Sequence, residues 1–583
     1  MTEDQNQVAP GTPEVEEEEE IKVHAQTWIV VFCINLLYCC QLLAVVGSGF
    51  LTQSITKFFG DSSQGVWFSQ VLTILTVALS PPVSQAVDYW GRKWIVVVLS
   101  SMGCFGCIIA SRAQSTGTVI AGFTITGLSL GCQCVLMAIV SEILPRKQRP
   151  LAQATINATA GLGGVLGVVI GGLLVRHGDL GHFRIYFYVT AACYAVATIG
   201  TALCYHPPPR EKLSMTNAEK LRSMDWIGIS LCGIGLVLFS IALSWSRNPY
   251  PWTDAHILAP FILGCVMLIG LGIYEWKIKK DGMLHHDLFR DRNFAIVILC
   301  IFADGLIFFT VNSYYAFQVS VFTGADLLIS GLQFAMLFFI ASPMSFIAGA
   351  YSARAKDVRN PIVLGFICFV IFNILLATTT PSSPHGVFWG FPVFIGLGLG
   401  LCLPAMMVTA QLSTPPDLIA LATGLMVGVR SVGGTIALAI NNAIFNSALS
   451  TEMPKKIAAA TLPLGLPASS LGQLIPALAN GDNAALAQVP GATPEILGAA
   501  GEALVEAYHI AFRNCWIAAA CFCAVAVVGG CFVNVPASEF NAHIDAPAES
   551  EVVELQKAIE SKHGYIEEVE VARKNEGLIS EKN

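Results

Sequence analysis

The chain has 583 residues, of which 54% are hydrophobic and only 12% charged, with a mean hydropathy of +0.64. An ordinary soluble domain carries about 25% charge, so the charges are too few to solvate a water-facing surface of this size, and most of the surface is expected to face lipid. The net charge of −8 reflects acidic ends, since residues 14–20 read Glu-Val-Glu-Glu-Glu-Glu-Glu and the stretch after Pro536 is rich in glutamate; a basic nucleic-acid footprint is absent.

The polar, acidic segment 1–26 lacks the basic start and short apolar core of a cleavable signal, so none is expected. It reads as a disordered, solvated tail. A bilayer core takes roughly 20 apolar residues of helix. Candidate spans follow at 27–49, 66–86, 94–112, 117–143, 151–175, 186–205, 227–246, 257–276, 294–318, 327–350, 361–380, 387–412, 420–447 and 507–535. This is an all-α membrane protein with fourteen transmembrane helices. The even number puts both termini on one side. With the termini inside, the short inner connections hold seventeen Lys and Arg against seven outside, and that bias sets the expected orientation: both termini cytoplasmic.

The expected organisation is an N-tail at 1–26, a six-helix half at 27–205, a charged cytoplasmic linker at 206–226, and two inserted spans at 227–276. A cytoplasmic loop at 277–293 and a second six-helix half at 294–535 follow, then an acidic cytoplasmic C-tail at 536–583. The second half contains an Ala- and Pro-rich extracellular loop at 448–506, whose apolar helices could pack on the membrane surface. Pro463, Pro467 and Pro476 argue against a fifteenth span there. The eighteen cysteines lie in apolar stretches without metal spacing and read as packing residues.

After the second span the chain reads Ser84-Gln-Ala-Val-Asp88-Tyr-Trp-Gly91-Arg92-Lys93. This is similar to the loop motif of the major facilitator superfamily, Gly-x-x-x-Asp-Arg-x-Gly-Arg-Lys, with Ser84 and Tyr89 as departures. Asp88 at a helix end can pair with the following cations, and Gly91 allows a tight reversal. The fourth span ends Glu142-Ile-Leu-Pro145-Arg-Lys-Gln-Arg149, which resembles the segment that pairs with that loop. The resemblance implies a cytoplasmic gate of Asp88, Gly91, Arg92, Lys93, Glu142 and Arg149.

In the fifth span, Gly163-x-x-x-Gly167-Val168-x-x-Gly171-Gly172 resembles the antiporter signature, with Val168 in place of its proline. Small residues at this spacing let helices approach closely. The thirteenth span, with Arg430-Ser-Val-Gly433-Gly434, resembles the Arg-x-x-Gly-Gly stretch of fourteen-span drug:proton antiporters. Over roughly 25–535 the chain looks most like the fungal trichothecene-efflux-pump group, with siderophore-iron transporters as neighbours. Internal duplication is also suggested, by the Gly349–Arg359 segment and by Gly396, Gly398, Gly400 and Pro404. One departure bears on energy coupling. The branch usually carries an arginine in span four, and aligning on Gly127 puts Phe123 there.

Two ionisable residues lie deep in spans: Asp304 in the ninth and Arg430 in the thirteenth. A charge at that depth costs roughly 2.5–3.5 kcal/mol on insertion scales, so each is expected to face the bundle interior, water or a partner. Burial disfavours the ionised form of a carboxyl, and a carboxyl that exists in both forms can carry a proton. Asp304 is therefore the proton candidate. Asn312 and Tyr315 follow it at helix-compatible spacing and could share its face. Gln133, Asn157 and Gln333 are further polar candidates for a substrate cavity.

No phosphate-cradling glycine loop, nucleophile cluster or metal-ligand set is present in the sequence, so no enzyme, cofactor or metal is expected. The reading is a monomeric secondary transporter of the plasma membrane that exports small amphipathic compounds against protons. The alternative is a siderophore-iron or other nutrient importer of the same fold.

Overall fold

The computed structural model describes residues 25–541 apart from 61–64, 177–179, 208–215, 246–251, 280–281, 283–284, 326, 481–485 and 487. Most of the expected acidic tails, and parts of the 206–226 and 277–293 connections, lie outside the described residues. Among the described residues every regular element is helical.

Among the described residues fourteen helices are long and apolar enough to cross a bilayer. They are α1 (Ala25–Phe50), α2 (Val66–Trp90), α3 (Arg92–Ser111), α4 (Thr116–Glu142), α5 (Arg149–Arg176), α6 (Phe183–Cys204) and α7 (Trp226–Trp245). The rest are α8 (Ala255–Lys277), α9 (Arg292–Thr323), α10 (Leu327–Ala355), α11 (Arg359–Ala377), α12 (Pro392–Leu412), α13 (Ile419–Thr461) and α14 (Pro494–Cys531). Gly91 takes φ 83° between α2 and α3, a left-handed conformation that side chains rarely adopt. The motif's glycine is thus what lets α3 start one residue after α2 stops.

Helices α1–α6 and α9–α14 enclose a central cavity, while α7 and α8 pack on each other at one side. A small apolar cluster of Val77, Cys232, Leu236 and Leu271 joins that pair to α2. The outer face of α8 exposes Ile262, Val266, Ile269 and Ile273, as a lipid-facing helix does.

The glycine row of α5 sits between α1 and α10. A Cβ on Gly163 would stand 2.7 Å from the carbonyl oxygen of Cys39, and Gly167 and Gly171 meet Val46 and Phe50 of α1. Gly164 and Gly172 turn the other way, to Phe338 and Leu328 of α10. Both halves therefore meet on one helix made thin by glycine.

The ends carrying Ala25 and Cys531 lie on one side of the bundle, here called the terminal side. The halves close on each other there. Gly424 of α13 lies against Ser80 and Ser84 of α2, and Gly349 of α10 lies against Pro150 and Ala154 of α5.

The segment after α14 crosses the same side. Asn534 N–H donates to Asn293 Oδ1 at 3.0 Å, and Asn293 Nδ2 donates back to the Asn534 carbonyl at 2.9 Å. Phe540 is buried in the main core. Lys147 N–H donates to the Asn541 carbonyl at 2.8 Å, and Arg146 pairs with Glu539 at 3.2 Å. This strap links the second half to the α4–α5 connection. The Arg146–Glu539 pair is partly exposed, so Glu539→Ala is expected to cost under about 1 kcal/mol in thermal unfolding of the purified protein. A larger loss would show the pair to be screened from water.

The 448–506 segment differs from expectation. Within it α13 continues to Thr461 and α14 already begins at Pro494, so both spans run past their expected bounds. At about 1.5 Å per residue, these helices of 43 and 38 residues outreach the membrane. Together with a short helix, Leu471–Asn480, they bury a second core of Ile457, Leu466, Leu474, Val489 and Ile496. Proline at the first helical turn and a Thr493 side chain accepting from Ile496 N–H start α14 cleanly. Ala-rich sequence with Glu495, Glu502 and Glu506 is strongly helical yet too polar to register as a span. No further helix among the described residues qualifies as a fifteenth span.

Candidate functional site

The cavity measures about 400 Å³ and is lined by α1, α2, α4 and α5 on one side and by α9, α10, α12 and α13 on the other. It occupies the middle of the bundle and the half away from the terminal side, reaching Phe50 on α1 and Gly331 on α10. Its walls are mostly Phe, Leu, Val and Met. A few polar groups converge on it: Tyr38, Gln133, Thr73, Thr76, Asn312, Ser431 and Arg430. That composition suits a small amphipathic ligand.

Asp304 on α9 and Arg430 on α13 form an ion pair, Nε to Oδ2 at 2.6 Å. The backbones come close enough because glycines line their contact. A Cβ on Gly305 would run into the Arg430 carbonyl oxygen, and Gly433 lies against the Phe302 carbonyl. Asp304 is fully buried, whereas 21% of the Arg430 side chain is exposed, toward the cavity. The Cys402 thiol stands 3.8 Å from the other carboxylate oxygen. The Phe308 ring lies 4.8 Å from the guanidinium carbon, within cation–π range. A buried pair offsets its desolvation only with good geometry and supporting contacts, and this pair has both.

Inserting a methyl group at Gly305 forces α9 and α13 apart. Gly305→Ala is expected to cost about 1–3 kcal/mol, the range for overpacking a tight contact, and to lower the unfolding temperature. An unchanged unfolding temperature would mean that the two backbones are not so close.

The other candidates divide. Gln133 lies on the cavity wall and donates to Tyr38 Oη at 3.0 Å. Asn312 is also on the wall, but Tyr315 is not, because its hydroxyl donates to the Phe388 carbonyl. Eight residues of helix turn Asn312 about 80° away from Asp304, while eleven bring Tyr315 nearly back into line. Asp304 and Tyr315 therefore share a face packed within the second half, and of the three only Asn312 lines the cavity. Asn157 donates to the Gln153 carbonyl within α5 at 2.8 Å and is not among the lining residues. Gln333 is buried beside Phe334 and is also off the wall.

On the terminal side, Arg92 pairs with Glu142, both buried. The pair joins α3 to α4 within one half, while Asp88 lies in the last turn of α2 and Lys93 extends over Trp94. Arg149 is fully buried at the start of α5. Contacts between halves include Ser84 with Gly424, Pro150 with Gly349, and the strap.

Phe123 stands between Phe68 and Phe187, with ring centroids 5.6 and 5.2 Å away. An aromatic cluster fills the place where the resemblance would put an arginine. The pairing of Asp304 with Arg430 escaped sequence reasoning, because 126 residues separate them. The glycines flanking both were the available signal, since small residues mark close helix contacts.

A family model described as Major Facilitator Superfamily matches residues 34–438. The chain is 26% identical over 407 residues to the MFS-type transporter gkaD of Penicillium citrinum, covering 69% of this chain and 68% of that protein. It is 26% identical over 449 residues to the efflux pump apf11 of Gibberella fujikuroi, covering 74% and 78%. Among solved structures, the human organic anion transporter MFSD10 superposes with a TM-score of 0.54 at 12% identity, over 87% of this chain and all of that one. The proton:xylose symporter XylE superposes with a TM-score of 0.50 at 11% identity, over 73% and 90%. At these identities the structures show the fold alone.

Proposed function

This chain belongs to the Major Facilitator Superfamily, and from that premise we propose that it exports small amphipathic molecules by alternating access, driven by proton antiport. It is a multi-pass membrane transporter and not an enzyme. The observation that carries the export reading is the mainly apolar cavity between the two halves, with a single ion pair in its wall. Relatives named as efflux pumps and transporters support the direction.

In this reading the terminal side is cytoplasmic, and the form described is closed there. The two halves rock about the cavity. The contacts of Gly424 with Ser84 and of Gly349 with Pro150 part when the cytoplasmic side opens, and the strap must yield with them. Asp304 is the proton carrier. Ionised, it holds Arg430; protonated, it releases it. With Phe123 in place of the branch's usual arginine, the coupling charge sits in the second half. The protein works as a monomer in the plasma membrane.

The test is accumulation of a labelled toxin and of a labelled ferric siderophore in cells with and without the gene. The expected result is lower toxin retention with the gene present. Raised siderophore uptake with unchanged toxin retention would establish the importer reading instead.

A further inference from the structure

Arg430 is the one lining residue, among those described, that carries a charge at neutral pH. Its Nε is bound to Asp304 at 2.6 Å, while its side chain is partly open to the cavity. Of its five N–H donors, the Nε–H is the one engaged by the carboxylate, which leaves the terminal amines as a donor fork. The wall is therefore electrically neutral but rich in directed donors.

We infer that the cavity selects an uncharged amphipathic molecule with a hydrogen-bond-accepting head, such as an ester or lactone carbonyl, held by the terminal amines of Arg430. This rests on the transporter reading above and names its substrate class.

The physical reason is desolvation. An ion that leaves water for this cavity loses its hydration and meets a neutralised pair that gives little back. An anion drawn to Arg430 also approaches the Asp304 carboxylate behind it. A cation meets the guanidinium first. A neutral carbonyl avoids both penalties and accepts from the free amines. Asn312 on the Arg430 side, and Gln133 and Tyr38 on the facing side, can satisfy further polar atoms, and Phe308, Phe309 and Phe334 cover the apolar body.

The arrangement also sets the sign of coupling. A proton on Asp304 leaves Arg430 as an uncompensated cation on the wall. That favours water or an anion in the cavity over a neutral amphiphile. Proton and neutral substrate thus oppose each other, which antiport requires. The titratable groups facing the pair are Cys402 of α12, Cys523 of α14 and Tyr38 of α1. None of these is a second carboxylate.

The experiment uses the full chain in detergent with three dansyl probes of similar size: dansylglycine methyl ester, dansylglycine, and a dansylamidoethyl-trimethylammonium. Binding is read as dansyl fluorescence. The wild type is expected to bind the ester at least about tenfold more tightly than either ion, a difference of 1.4 kcal/mol. In Asp304→Asn, which leaves Arg430 without its counter-charge, dansylglycine gains on the ester. Tightest binding of either ion by the wild type, equal binding of all three, or no binding of the ester would overturn the inference. Selective ester binding without transport into vesicles would leave the recognition standing and refute the exporter reading, so the two failures are distinct.

Discussion

Replacing Asp304 with asparagine is expected to abolish pH-gradient-driven export while the protein still folds and reaches the membrane. Asparagine keeps the size and an acceptor oxygen for Arg430 but cannot take up or release a proton. Removing one member of a buried ion pair usually destabilises strongly. Here the penalty is moderated, because the Arg430 side chain opens to the cavity, where water can solvate it. Transport by proteoliposomes carrying Asp304→Asn should fall to that of empty vesicles, with normal protein yield. Wild-type transport by this variant would remove Asp304 from the mechanism. A misfolded variant would show the pair to be structural first.

The second large effect falls on stability. Glu142 is fully buried and Arg92 nearly so, and the pair ties the end of α4 to the start of α3. Glu142→Ala removes the carboxylate to which the Arg92 guanidinium donates, and breaking a buried pair in this way costs about 3–5 kcal/mol. The double replacement Arg92→Met with Glu142→Leu should recover most of that loss, since an apolar pair of similar volume carries no desolvation penalty. Thermal unfolding of purified variants measures both. A Glu142→Ala loss as small as that expected for Glu539→Ala would show that water reaches the pair.

Much of the fold was legible in the sequence because the bilayer imposes one simple condition, a helix long and apolar enough to span it. The fourteen spans follow from that condition. The turn at Gly91 and the glycine row of α5 were legible from motif and spacing instead. The ends of α13 and α14 were not legible. Beyond the membrane a helix needs caps and alanine rather than hydropathy, so 448–461 and 494–506 looked like loop.

The site was legible as parts and not as an assembly. Asp304 and Arg430 stood out singly, because a charge in a span demands a partner. Their pairing depends on how α9 crosses α13, which no local spacing encodes. The same holds for the strap, where Glu539 meets Arg146 across 393 residues of chain, and Asn541 meets Lys147 beside it. Asn312 and Tyr315 show the limit within one helix, since compatible spacing left open which of them faced the cavity.

The central claim is that protons and substrate cross in opposite directions through one cavity. The most direct measurement traps a pH-sensitive dye inside proteoliposomes and adds dansylglycine methyl ester outside. Entry of the ester should drive protons outward, raising the lumenal pH in proportion to the ester that enters, and Asp304→Asn should show no proton movement. Ester entry with no pH change, or with protons moving alongside the ester, would contradict the account.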